Sequence, residues 1–258
     1  MSDREEIGNH YSRYFRMINV NTKELKTIAY KLRYSVFHEE FGYYNLGNRL
    51  NNNMEIDEYD DYSLHSLLFH RPSNQAIGYI RLIPQTEKYR KPLPIKKYWG
   101  EPFNLNNNYM DKMDGTNIGE LSRMAIISSF RKRPFDSYDL EQDNSQFKNI
   151  VCSDKRYPIN YLPMCLILAS MHFTFKENME YVFAMIEPRF AILLRHFGIQ
   201  FEQIGQSVEC FGLRAPYVFY REKTYRNLTP EFHSLFDKIG EDLNGPNVIE
   251  NIAHLNAR

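Results

Sequence analysis

Two opposite charges, Glu120 and Arg123, stand inside the apolar run Ile118 to Ile127, Ile-Gly-Glu-Leu-Ser-Arg-Met-Ala-Ile-Ile. Burying an ion is costly unless it is paired or put to use. A charged pair in a core strand is therefore either a structural ion pair or part of a site. Positions three apart on a regular strand point to opposite faces. Glu120 and Arg123 can share a face only if a β-bulge intervenes near Leu121 or Ser122, and bulges are frequent beside active sites. The alternative, two residues serving two faces, stands open at this level. Arg81 is a second charge inside an apolar run, Ala76 to Ile83. A third feature is the acidic cluster Glu55-Ile-Asp57-Glu58-Tyr59-Asp60-Asp61. A calcium loop would need a glycine after its alternating oxygen ligands, and Tyr62 stands there. What remains is a carboxylate rim for a substrate ammonium group or a solvated acidic loop, and spacing alone favours the loop.

The elements that must carry these residues follow from periodicity. Thr22 to Phe41 reads as an amphipathic helix, with Thr22 as N-cap, Leu25, Ile28, Ala29, Leu32, Val36 and Phe37 along one face, and Gly42 past its end. Arg33 lies one turn before Phe37; on its own it reads as a solvated helix charge. Leu64–Phe69 and Ala76–Ile83 form a strand pair joined by Arg71-Pro-Ser-Asn74. Residues 84–117 are rich in Pro, Asn and Lys, an irregular insertion with a short helix near Ile95 to Trp99. After the central strand come a polar, basic stretch (Ser128 to Tyr157), a helix (Ile159 to Lys176), a buried strand (Tyr181 to Ile186), a short helix (Pro188 to Phe197) and two strands (Gln200–Gly205 and Ala215–Arg221). From Pro230 the chain reads as an amphipathic helix, a cap or partner surface. Strands interleaved with helices give an α/β fold with a mixed central sheet, a loop-rich insertion and a helical C-terminal tail. We expect one domain over residues 1–258, with a core of about 22–225 and a tail of 226–258.

Bulk properties exclude several classes. The chain has 258 residues, 43% hydrophobic and 15% aromatic, with Lys+Arg and Asp+Glu both 32, so no charge excess points to nucleic acid. Cys152, Cys165 and Cys210 have no metal spacing and leave one cysteine over in any disulfide scheme, which fits a reducing cytoplasm. Met1 to Asn9 is unlike a signal peptide, and the apolar run Tyr161 to Phe175 is too short to span a bilayer. His38-Glu39-Glu40 lacks the second histidine of a zinc motif, no metal is expected, and His65 reads as packed or surface-lying rather than as a base. Nucleophile-elbow, phosphate-loop and dinucleotide motifs are absent.

Four elements in order carry a resemblance. They are Arg33 and Phe37 in Leu-Arg-Tyr-Ser-Val-Phe; Glu55, Asp57 and Asp60 as Glu-x-Asp-x-x-Asp; Arg81 in Gly-Tyr-Ile-Arg-Leu-Ile-Pro; and Glu120 to Arg123 as Glu-x-Ser-Arg. The chain resembles the autoinducer-synthase branch of the GNAT acyltransferases, which holds acyl-homoserine-lactone synthases, N-acyl amino acid synthases and the PEP-CTERM/exosortase-associated acyltransferases. Phe183-Ala-Met-Ile-Glu-Pro188 and Gly-Leu-Arg-Ala-Pro-Tyr217 resemble the last type most. Tyr43 stands where the lactone synthases carry tryptophan, and Ser-Ser-Phe-Arg-Lys-Arg133 replaces the usual pyrophosphate loop.

The resemblance implies an N-acyltransferase that moves a fatty acyl group from an acyl carrier protein or coenzyme A thioester to the amine of an amino acid or similar small acceptor. Alternatives are a lactone synthase using S-adenosylmethionine, a non-catalytic acyl or carrier-protein binder, and an acyltransferase acting on a protein or cell-surface precursor. It implies Glu120 as general base with Arg123 organising the charges. Arg33, Phe37, Tyr43, Glu55, Asp57, Asp60 and Arg81 would serve the substrate, and no cofactor is held permanently. Lys97, Arg131, Lys132 and Arg133 would form a docking patch for an acidic carrier.

Overall fold

The computed structural model describes residues 6–44, 49–98, 109, 117–131 and 161–245. Lys132 and Arg133 lie outside them. Helix α1 (Ile7–Tyr14) leads into β1 (Phe15–Asn19). Helix α2 (Lys23–Tyr34) starts where expected, with the Thr22 hydroxyl accepting from Leu25 N–H at 3.3 Å. It does not run on as one α-helix. Ser35–Glu40 continue as a π-helix, and Gly42 then turns the chain at φ +68°.

A small hairpin, β2 (Arg49–Asn51) and β3 (Met54–Ile56), precedes β4 (Leu64–His70), β5 (Gln75–Gln85) and a 3-10 turn at Pro94–Tyr98. The central strand is β6 (Ile118–Ile126), followed by the single turn α3 (Ser128–Arg131). The second half holds α4 (Leu162–Lys176), β7 (Tyr181–Ile186), α5 (Pro188–Arg195), β8 (Glu202–Gln203), β9 (Val208–Glu209), β10 (Leu213–Tyr220), α6 (Arg221–Asn227) and α7 (Pro230–Asn244).

The sheet runs β1-β4-β5-β6-β7-β10-β8, with β9 on β10. Its described pairings are antiparallel except β6 on β7, which are parallel. A parallel neighbour needs a crossover, and α4 belongs to it. With Leu162, Met164 to Ala169 and Met171 all buried, α4 is apolar all round, as a helix under a sheet should be.

The other sheet face carries α2, the π-helix, the acidic loop and the 3-10 turn. Leu25, Ile28, Ala29 and Val36 pack there on Tyr79 and Ala125, and Leu93 and Ile95 on Ile83, Ile118 and Phe183. Two segments outside residues 22–225 join the core. β1 pairs with β4 along its length, and Phe232, Leu235, Phe236 and Ile239 of α7 are buried in the main cluster. Helix α7 thus covers part of the main core cluster.

Candidate active site

The bulge exists, but one step from its expected place. Tyr79 pairs with Ala125 and Arg81 with Ser122, so β6 spends three residues where β5 spends two. The extra residue is Arg123 or Met124, and Arg123 sits in the left-handed region at φ +55°. Its effect on facing is direct. Arg81 lies opposite Ser122 and Tyr79 opposite Ala125, so Ser122 and Ala125 share the α2 face with Glu120. The inserted residue lets Arg123 join them, and Met124 packs with the opposite core.

The charges form a closed cycle. Arg33 holds Glu55 through Nε and, by Nη1, Asp60 Oδ1 at 2.6 Å. Arg81 Nη1 meets the same Asp60 oxygen at 2.7 Å, and its two terminal nitrogens hold Asp57 at 2.6 and 2.9 Å. Arg123 closes the ring, with Nε 3.0 Å from Glu55 and Nη2 3.3 Å from Asp57. Three cations alternate with three carboxylates. Each charge therefore has opposite-sign neighbours on both sides, the condition under which burial of ions is tolerated.

The acidic loop is accordingly not simply solvated. Glu55 and Asp60 are fully buried, and Asp57 N–H donates to Asp60 Oδ2 at 2.7 Å, so the carboxylates also fold their own turn. Glu58 and Asp61 alone of the cluster face solvent. Arg33 is likewise not a solvated helix charge but 0% exposed. It stands four residues after Ala29 and eight after Leu25, on the helix's apolar stripe, and that spacing was a readable signal.

Burial works against ionising Asp57, but hydrogen bonds and charge from Arg81, then Arg123 and Arg33, hold its carboxyl well below the ordinary range. The same opposition, won by the charges of Arg33 and Arg81, lowers Asp60.

Glu120 lies outside the cycle. It is 4% exposed, and its Oε2 accepts the Ile95 N–H at 2.7 Å. Burial pushes its pKa up to about 8; the Ile95 hydrogen bond and the charges of Arg81 and Arg123 pull the other way. A carboxyl poised near neutral pH can exchange a proton with a substrate.

Residues outside the expected set complete the surroundings. Ser122 accepts from Arg81 Nε at 3.0 Å. The Tyr79 hydroxyl receives Arg33 Nη1 at 3.5 Å and lies 2.6 Å from His65 Nδ1. His65 Nε2 is 2.9 Å from the Asp60 carbonyl, which can only accept, so Nε2 carries the proton and the Tyr79 hydroxyl donates to Nδ1. Burial lowers the His65 pKa to about 4, so it stays neutral and packed. Ser122 and Tyr79 were legible from period two, two residues from Glu120 and Arg81 respectively. The Ile95 amide carried no sequence signal.

Beside this face the sheet opens. β6 pairs with β7 only from Ile118↔Tyr181 to Leu121↔Ala184. β6 then follows β5, and β7 follows β10 to Ile186. The bulge begins where the parallel pairing stops, and bulges raise local twist. The result is a break in strand pairing, here termed the cleft, between Ser122–Ile126 and the end of β7, along which Ser122, Arg123 and Met185 are half-buried. Backbone N–H groups of β6 released from β7 suit an oxyanion.

Phe37 packs beside the α2 cluster, and Tyr43 lies past the π-helix with its hydroxyl donating to the Phe211 carbonyl at 3.3 Å. The basic residues do not converge. Lys97 pairs with Glu58 at 3.2 Å, two residues from the Ile95 that holds Glu120. Arg131 lies past the other end of β6, paired with Glu40 at 2.9 Å and 4.2 Å over the Phe41 ring. Among the described residues no group of three or more His, Cys, Asp or Glu could hold a metal, and no helix is long and apolar enough to cross a membrane.

Residues 32–139 match a family model described as an acetyltransferase (GNAT) domain. Comparison with curated proteins finds no match. Solved structures are similar over most of the chain. One is BjaI, a CoA-dependent acyl-homoserine lactone synthase with SAM and isopentyl-CoA (TM-score 0.57, 16% identity, 95% of this chain and 100% of that one). Another is LasI, an AHL synthase (0.54, 17%, 83% and 93%). A third is FeeM, an N-acyl amino acid synthase from uncultured soil microbes (0.52, 10%, 85% and 97%). The matched domain and these structures are acyltransferases and synthases, and the mixed central sheet with flanking helices of this chain is GNAT-like and matches their fold.

Proposed function

We propose that the protein is an N-acyltransferase that joins a long acyl chain, delivered as a carrier-protein thioester, to the amine of an amino acid or similar small acceptor. One observation carries the reading: a buried carboxyl with its pKa near 8, on a bulged strand, beside a cleft where that strand parts from its parallel neighbour. An ammonium acceptor must lose a proton before it attacks. Glu120, directly or through one water, takes that proton. The amine nitrogen bonds to the thioester carbonyl carbon, the oxyanion is held by strand N–H groups, and the C–S bond breaks as the thiolate leaves and is protonated. The Arg33–Glu55–Arg123–Asp57–Arg81–Asp60 cycle holds the loop rigidly over the cleft and leaves Glu120 outside its charge balance.

The donor assignment rests on the chain after β6. A coenzyme A pyrophosphate needs free backbone donors there, but the Ser128 N–H is taken by Glu40 Oε1 at 3.0 Å. The basic run Arg131 to Arg133 in the sequence then serves an acidic carrier, while Lys97 is engaged elsewhere, with Glu58. The second-half motifs Phe183–Pro188 and Gly212–Tyr217 support an enzyme of the exosortase-associated type, working in the cytoplasm. The competing lactone-synthase reading is favoured by likeness to BjaI and LasI, whereas Tyr43 at the tryptophan position speaks for an ordinary amine.

The test is mass spectrometry of lipid extracts from cells overproducing the protein, with Glu120→Gln as control. An N-acyl amino acid present only with the native protein is the expected result. An acyl-homoserine lactone would replace this reading with its competitor, and identical extracts would leave a non-catalytic binder or an acyltransferase acting on a protein or cell-surface precursor.

A further inference from the structure

Among the described residues, four of the five exposed large apolar side chains lie in two segments that meet, the fifth being Ile192 on α5. Phe41, Tyr44, Phe211 and Leu213 are 42, 73, 38 and 50% exposed. Tyr43 links them. It stacks on Phe41 with ring centroids 5.1 Å apart and meets Phe211 at 4.8 Å, besides the hydrogen bond from its hydroxyl to the Phe211 carbonyl. Exposed aromatic clusters of this kind mark surfaces that meet something.

The two ends of this contact belong to opposite walls of the cleft. Phe41 to Tyr44 follow the π-helix, and Glu40 ties that helix to Ser128 and Arg131, just past the end of β6. Phe211 sits on the turn between β9 and β10, and β10 is paired with the end of β7 through Ala215↔Ile186. β6 and β7 run parallel and diverge toward these ends. The Tyr43–Phe211 contact therefore crosses the mouth of the gap. Phe211 and Gly212, at φ +52° and +88°, make the tight turn of the β9–β10 hairpin, which fixes where the Phe211 ring is presented.

We propose that Tyr43 and Phe211 form a gate across the mouth of the β6–β7 cleft, and that Phe211 determines which acceptors pass by limiting the size of the amine that reaches Glu120. The size-selection half rests on the acyl-transfer reading. The gate itself rests on geometry alone: one pair of side chains, from segments 168 residues apart, bridges the two walls where no strand pairing does.

Two measurements test it. In acyl transfer with glycine and tryptophan as competing acceptors, Phe211→Ala should raise the tryptophan-to-glycine ratio of kcat/KM by on the order of tenfold, the scale on which a pocket discriminates small differences in apolar bulk. An unchanged ratio overturns the size filter. The second needs no turnover. Met185 is the first β7 residue beyond the β6 pairing and packs on the site face. With Cys152 and Cys210 replaced by Ser, a Met185→Cys thiol should react with a polar alkylating reagent up to about tenfold faster once Phe211→Ala is added, the scale of losing one aromatic pair. Equal labelling rates overturn the gate. If the native protein acylates neither amine, the acyl-transfer reading fails and the labelling rates still judge the gate.

Discussion

Arg33 and Arg81 converge on one atom: their Nη1 nitrogens lie 2.6 and 2.7 Å from Asp60 Oδ1. Two buried cations are thus held side by side by a single oxygen, and Glu55 and Asp57 carry the connection on to Arg123. The six side chains should behave as one cooperative unit rather than as independent ion pairs.

Removing one member should strand its neighbours, and breaking a buried pair typically costs on the order of 3–5 kcal/mol. Arg33→Ala and Asp57→Ala do not delete the same contact, yet both open the cycle. The double variant should be less unstable than the sum of the single ones, by roughly 0.5–3 kcal/mol. Denaturant unfolding of all four proteins measures this; simple additivity would mean that the pairs act separately.

The rate should depend on Glu120 in a particular way. A base must be deprotonated to work, so kcat/KM should rise with pH and level off above about 8, the pKa that burial gives this carboxyl. Glu120→Gln keeps the shape and loses the base, so kcat should fall roughly 10²–10⁴-fold and the rising limb should vanish. A variant that keeps most of the native rate while melting lower would make Glu120 structural.

Stability should respond to the same group with the opposite slope. In the unfolded chain Glu120 ionises near its ordinary value of 4.5; folded, it keeps its proton up to about 8. Between those values the folded state binds the extra proton, so Glu120 makes stability fall as pH rises through the window. Asp57 and Asp60, with lowered pKa values, act in the other sense and lose their contribution as pH falls below the ordinary carboxylate range. They are common to native protein and variant. The Tm of Glu120→Gln relative to native should therefore climb from pH 4.5 to about 8, and calorimetry across that range would show a flat difference if the side chain were solvated.

At Arg123 charge and geometry can be separated. Lysine keeps the charge but cannot bond Glu55 and Asp57 from one planar group. Arg123→Lys should lower both Tm and kcat/KM, with the rate falling more than the folded fraction. Arg123→Gly suits the φ of +55° better than any side chain. Its backbone gain should not restore the rate, because the cycle stays open. Recovery of the native rate in the glycine variant would assign Arg123 to the bulge alone.

Period and residue type by themselves did not show α1, β1, the β2–β3 hairpin or the π-helix, but they determined the order of the main strands and helices from α2 onward, the N-cap at Thr22, the turn at Gly42, and the charges that cannot be left unpaired in apolar strands. These are local properties, written into spacings of two and 3.6 residues. Two things the sequence left open were decided only in the folded chain. The first is facing: whether Glu120 and Arg123 meet depends on one inserted residue, and the bulge lies at Arg123–Met124, opposite Ile80, a register that β5 and β6 settle together. The second is burial of the acidic cluster. Glu55, Asp57 and Asp60 look like a solvated run in isolation. They become interior because Arg33 and Arg81, from a helix and a strand 48 positions apart in the chain (81 − 33), arrive on the same side of the sheet and make their desolvation affordable. The Ile95 amide on Glu120 and the Tyr43–Phe211 bridge belong to the same class, since contacts between remote segments have no period to announce them.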